Sequence, residues 1–144
     1  MRDRLPLAAA VALLGLLTGL LTGVRQFLPI LTQRSDLPLR ALIPAIGLVM
    51  FAVTTLAVFA AGYWAGMRTD VEREYLEIAL LFGLVGGAAT LVGSLVVPFF
   101  GAGDAVNDSL AIVVGSAVYT GFVQVFNFAI TGIAGAAVAT FRRR

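Results

Sequence analysis

The chain has no cysteine, no histidine and no lysine, and only eight acidic residues in 144. Without cysteine there are no disulfides and no thiolate chemistry, and without histidine most transition-metal and haem sites lose their usual ligand. Without lysine there is no Schiff-base route. No Asp or Glu falls in the middle of a long apolar run, so acid–base catalysis inside such a run lacks its residues. A serine nucleophile needs a base, and neither Ser94 nor Ser116 has one in its run. The expectation is a protein that is not an enzyme and holds no metal and no cofactor.

Charge is scarce as well. Charged residues make up 12% of the chain and leave a formal net charge of +2, whereas an ordinary soluble domain carries about 25%. The ten basic residues are all arginines and stand at the ends of apolar runs, not along one face, which excludes an electrostatic nucleic-acid surface. What is abundant is apolar: 60% of the residues are hydrophobic, more than so small a globule can bury. The first partner expected is therefore the lipid bilayer, and 1–144 is read as a single transmembrane domain.

Four runs are long enough to span a bilayer, at about 5–28, 39–67, 75–97 and 110–141. The fold class expected is all-α: a polytopic integral membrane protein, a compact bundle of four transmembrane helices with both termini cytoplasmic. The first run follows Arg2 and Arg4, is long and lacks a small-x-small cleavage site, so it reads as an uncleaved span and not a secretory signal. Within it Gly15, Gly19 and Gly23 stand four apart with Thr18 and Thr22 beside them, a spacing that lets another helix approach closely. Pro29 is expected to end it. After a polar turn at 33–39, Pro38 suits the first turn of the second span and Pro44 is expected to bend it. Thr54, Ala57, Ala61 and Ala65 share one side of that span, and Tyr63 and Trp64 near its end have the character of interfacial aromatics.

The most hydrophilic piece of the chain is 68–75. Thr69 and Glu72 have capping-box spacing, and Asp70, Glu72, Glu74 and Glu77 complement the dipole of the next helix. With Arg68 and Arg73 interleaved, the acids read as caps in preference to a cation site. In the third span Ala79, Gly83, Gly86, Gly87, Thr90 and Ser94 fall within an arc of about 100° at the helical angle of about 100° per residue, a second helix-packing face. Pro98 is expected to close it. Residues 101–109 form a loop with Asp104 and Asp108 and no arginine, where Asn107 or Asp108 can cap the last helix. The last run, of about 32 residues, would be roughly 48 Å long as one helix, against a hydrocarbon core of about 30 Å. It must project, tilt, or bend near Gly121 or Gly132.

That run carries the feature around which a function can be argued. Ser116, Thr120, Gln124, Asn127 and Thr131 follow at steps of four, four, three and four and lie within an arc of about 80°. Tyr119, Phe122, Phe126, Ile130 and Ile133 lie on the far side. Unpaired polar groups in hydrocarbon cost several kcal/mol each, so the stripe is expected to face protein or water. Glu77 and Arg25, the ionisable residues nearest a span interior, read as snorkelling to the interface. Arg2, Arg4, Arg68, Arg73, Arg142, Arg143 and Arg144 lie on one side of a four-span topology, and Arg25, Arg34 and Arg40 on the other. The positive-inside rule then places both termini in the cytoplasm of a multi-pass cell-membrane protein. Arg25, Arg34 and Arg40 become outward interfacial anchors, or a basic patch for lipid headgroups or an anionic ligand.

Two functions follow from the stripe. In one it is an interhelical hydrogen-bond seam, within the chain towards Thr18, Thr22, Thr90 or Ser94, or towards a second copy or another membrane protein, and the chain is a structural, accessory or assembly subunit. In the other it lines a path for a small neutral solute or ion through a homo-oligomer, a channel- or transporter-like protein.

Overall fold

A computed structural model of the chain describes residues 5–32, 42–69, 71–101 and 110–143, with side chains described for 5–26, 44–69, 73–100 and 111–142. It is all helix, with no strand among the described residues. Helix α1 is Leu5–Thr32. Helix α2 runs as Leu42–Phe51, a π-helical stretch Ala52–Ala57, and Val58–Arg68. Helix α3 runs as Val71–Leu80, a π-helical stretch Leu81–Val85, and Gly86–Gly101. Helix α4 is Leu110–Arg143. All four are long and apolar enough to cross a membrane, over Leu5–Gln26, Pro44–Arg68, Arg73–Phe100 and Ala111–Arg142.

Two details differ from the sequence reading, and a third is one that it leaves open. Helix α1 continues past Pro29 to Thr32, and α3 continues past Pro98 to Gly101. Pro98 cannot donate to the Ser94 carbonyl, and that oxygen lies 3.3 Å from where a Gly23 Cβ would sit, so α1 approaches the carbonyl closely. Pro44 falls in the first turn of α2, where its missing N–H costs nothing, and the irregularity of that helix lies at Ala52–Ala57 instead. The last helix is one unbroken element, so neither Gly121 nor Gly132 interrupts it. The polar turn at 33–39 with Pro38, the loop with Asp104, Asn107 and Asp108, and Asp70 lie outside the described residues, as does the side chain of Glu72. The Thr69 hydroxyl and N–H both donate to the Ala65 carbonyl, closing the end of α2.

The helices are held by small-residue contacts that make the packing partners legible. Along α1 and α3, an added Cβ at Gly15 would sit 2.5 Å from the Gly86 carbonyl oxygen, one at Gly19 would strike the Thr90 carbonyl, and one at Gly23 would sit 3.0 Å from Val97 Cβ. Both sets of numbers rise together, so α1 and α3 run parallel. Along α2 and α4, Gly62 meets Gly132 and Gly66 meets Ala136, while Gly135 meets Phe59 and Tyr63, again in parallel. Helices α3 and α4 pack antiparallel: Gly83 faces Val125 and Ala129, and Gly121 faces Leu91. The order around the bundle is α1, α3, α4, α2, and α1 touches α2 far less than it touches α3.

At the centre two aromatic rings interlock. Phe82 and Phe128 are both fully buried. The Phe128 ring fills the space a Cβ on Gly86 would need, and the Phe82 ring lies 2.6 Å from where a Cβ on Gly132 would be. Each helix thus contributes a Phe-x-x-x-Gly segment, 82–86 and 128–132, whose ring seats on the glycine of the other. In lipid, where apolar burial gives no drive for helix association, close packing of this kind is the main attraction left.

The contacts also set the four helices level. Gly15 meets Gly86 and Gly86 meets Phe128, and each lies within two residues of the middle of its candidate span. Counting back from the Gly62–Gly132 contact puts Leu56 level with Phe126, again the middle of each span. The π-helical stretches Ala52–Ala57 and Leu81–Val85 lie at this same level.

Candidate functional site

The hydroxyls of the spans mostly satisfy themselves. Thr18 donates to Leu14 carbonyl oxygen, Thr22 to Thr18, Thr54 to Met50, Thr90 to Gly86, Ser94 to Leu91 and Ser116 to Val113, at 2.8–2.9 Å. Such back-bonding to the preceding turn lets Ser and Thr lie in an apolar helix without a partner from outside. Thr18, Thr90 and Ser94 are buried in the α1–α3 contact, beside Gly15, Gly19 and Gly23, and among the described residues no buried side-chain nitrogen or oxygen lacks a partner. Gly83 and Gly87 lie instead against α4.

The amides of the polar stripe do not join this contact. Asn127 Nδ2 donates to Gln124 Oε1 at 3.3 Å, one turn back on the same helix, and the pair is exposed. No hydrogen bond connects either amide to Thr18, Thr22, Thr90 or Ser94 among the described residues. Gln124 is half-buried and Asn127 is exposed, and Ser116, Thr120 and Thr131 are half-buried. The stripe therefore runs along a flank of α4, beside the arc formed by Ala117, Gly121, Phe128, Gly132 and Gly135, which is buried.

The flank is open because α2 covers only one end of α4. From Pro44 to Ala57 no residue of α2 is buried, whereas Val58, Gly62, Ala65 and Gly66 are. An added Cβ at Gly47 or Gly115 would meet nothing within 4 Å. Thus α2 and α4 are closely packed on each other from Val58 and Phe128 onward, and before them α2 leaves this flank of α4 uncovered. By the same register Thr55 is level with Gln124 and Val125, and it is half-exposed. The amide pair sits at mid-height of the bundle on an uncovered flank, beside one π-helical stretch and level with another; such stretches are frequent at functional sites.

Ionisable groups stay at the ends. Arg68 lies over the Trp64 ring, 4.0 Å from its centroid, and Arg142 donates to the Tyr63 hydroxyl at 3.4 Å, so the ends of α2 and α4 share an aromatic and cationic cap. Arg25 is exposed at the far end of α1. Arg34 and Arg40 lie outside the described residues. No group of three or more His, Cys, Asp or Glu side chains placed to hold a metal occurs among the described residues.

Sequence reasoning singled out the stripe but missed the Phe82–Gly132 and Phe128–Gly86 sockets and the Gly62/Gly66 contact. The signal was available in the repeated Phe-x-x-x-Gly spacing and in the Gly-x-x-x-Gly of 62–66. Compared with protein-family models, with curated proteins and with solved structures, the chain finds no match.

Proposed function

We propose that this chain is a multi-pass cell-membrane protein that works as a structural, accessory or assembly subunit, joining other membrane-embedded protein through the polar flank of α4. The observation that carries the reading is the Gln124–Asn127 pair: two primary amides at mid-height of the bundle, Asn127 exposed and Gln124 half-buried, hydrogen-bonded only to each other. Three of the amide hydrogens and most of the acceptor capacity of the pair are left over. Polar groups at that depth are tolerated against protein or water and not against acyl chains. A protein partner on the flank supplies what the pair lacks, at roughly 0.6–2 kcal/mol per hydrogen bond. The arginines support both termini facing the cytoplasm, since Arg68, Arg73 and Arg142 stand at the ends that would face it. The chemistry is non-enzymatic, and the partner is another copy or a different membrane protein.

A second reading is favoured by the opening between α2 and α4. Thr55, Thr120 and Gln124 are half-exposed along it, and in an oligomer they would line a path for a small neutral solute or ion. The variant Gln124→Leu with Asn127→Leu separates the two. An assembly surface predicts loss of the complex from a chain that still inserts, while a conduit predicts an intact complex with altered flux.

A further inference from the structure

We infer that the partner on this flank is a second copy of the chain, and that the two α4 helices pack in parallel through a heptad seam with Asn127 at its centre. The inference rests on the assembly reading above and names its occupant. On the side of α4 that no other helix of the chain buries, where the edge of the stripe meets the face of Ile130 and Phe126, Ser116, Thr120, Val123, Asn127, Ile130, Ala134, Ala137 and Phe141 follow at steps of four, three, four, three, four, three and four. None of the eight is buried, and Val123, Asn127, Ile130, Ala134 and Phe141 are exposed. An alternating four-three step is the spacing by which one helix meets another in a left-handed crossing of about 20°, the usual geometry of helix pairs in membranes. Most of these side chains are small, whereas the adjoining face carries Tyr119, Phe122 and Phe126, which suit acyl chains.

A second copy, and not an unrelated helix, is indicated by the amide. Two copies inserted the same way and related by a two-fold axis along the membrane normal bring α4 against α4 in parallel, so that Asn127 meets Asn127. One Asn127 Nδ2 hydrogen already goes to Gln124 of the same chain. The other is free to donate to the Oδ1 of Asn127 of the second copy, whose own hydrogen returns the bond. The pair is self-complementary, and a single asparagine in such a seam sets both register and two-strandedness.

The absence of cysteine makes the test direct. Single variants V123C, I130C and A134C on the seam, and V118C and F122C off it, are oxidised in native membranes and scored on non-reducing gels. Val118 and Phe122 are 51% and 63% exposed, between Val123 at 38% and Ile130 at 66%, so exposure alone does not favour the seam over the controls. The inference predicts disulfide-linked dimers at the three seam positions and little at the two controls. Adding N127L to A134C should lower the yield about tenfold, the loss of roughly one intramembrane hydrogen bond from each copy, while N127Q keeps it. Equal yields on both faces, or none on the seam, overturns the pairing. If the seam yields no dimer and the double leucine variant still loses a larger wild-type complex by native mass, the second copy is wrong and the assembly reading stands. If the wild-type chain is a monomer, both fall.

Discussion

Replacing Gly19 by alanine tests the packing account because its effect can be set against a glycine with no neighbour. A Cβ at Gly19 would strike the Thr90 carbonyl and lie 2.7 Å from the Ser94 nitrogen and 2.9 Å from the Gly93 carbonyl carbon. All three are backbone atoms, so no rotamer change relieves the contact and α1 must move from α3 by about 0.7 Å or more to regain ordinary separation. A gap of about 0.5–1 Å forfeits a quarter to a half of each atom pair's dispersion energy. For a seam of about 50 atom pairs at about 0.1–0.2 kcal/mol each, that is about 1–5 kcal/mol, a range that includes the usual overpacking cost of about 1–3 kcal/mol. Alanine's helix preference returns up to about 1 kcal/mol. At Gly115, where nothing lies within 4 Å, only that gain remains. The two variants should therefore differ by about 2 kcal/mol, read as separated midpoints when detergent-solubilised protein is unfolded with sodium dodecyl sulfate and followed by circular dichroism. If Gly19→Ala and Gly115→Ala shift the midpoint alike, the α1–α3 contact is not what holds these helices.

Two further outcomes follow from the same packing and from the arginines. Phe82→Ala empties the socket on Gly132; the loss should be below the about 3–5 kcal/mol typical of water-soluble cores, since lipid is as apolar as the core, and nearer 1–3 kcal/mol. The same titration measures it, and an unchanged midpoint would remove the interlocked rings from the account. For orientation, Asp3→Cys should react with a membrane-impermeant maleimide only after the cells are opened, and Asp104→Cys in intact cells. The opposite pattern would invert the topology and place the Arg68 and Arg142 cap outside.

The four helices were legible because each is an apolar run long enough to span a bilayer, and length and composition need no partner to be read. Their ends were less so: Pro29 and Pro98 read as stops, yet a proline near the last turn removes one hydrogen bond without ending the helix. The small-residue face with Gly15, Gly19 and Gly23 is visible in the first span alone, but not that it meets the third span in parallel, since partner choice depends on two surfaces at once. The sockets on Gly86 and Gly132 escaped for the same reason, as two unremarkable Phe-x-x-x-Gly segments acquire meaning only face to face. The polar stripe was legible as a stripe. Which way it faces was not, because that is set by α2, whose first half leaves α4 uncovered.

The most direct test of the assembly surface on α4 is native mass spectrometry of the chain released gently from its own membrane, for the wild type and for Gln124→Leu with Asn127→Leu. The account predicts a complex of fixed stoichiometry for the wild type and a free, helical chain for the variant. A wild-type monomer, or a complex that survives the loss of both amides, contradicts it.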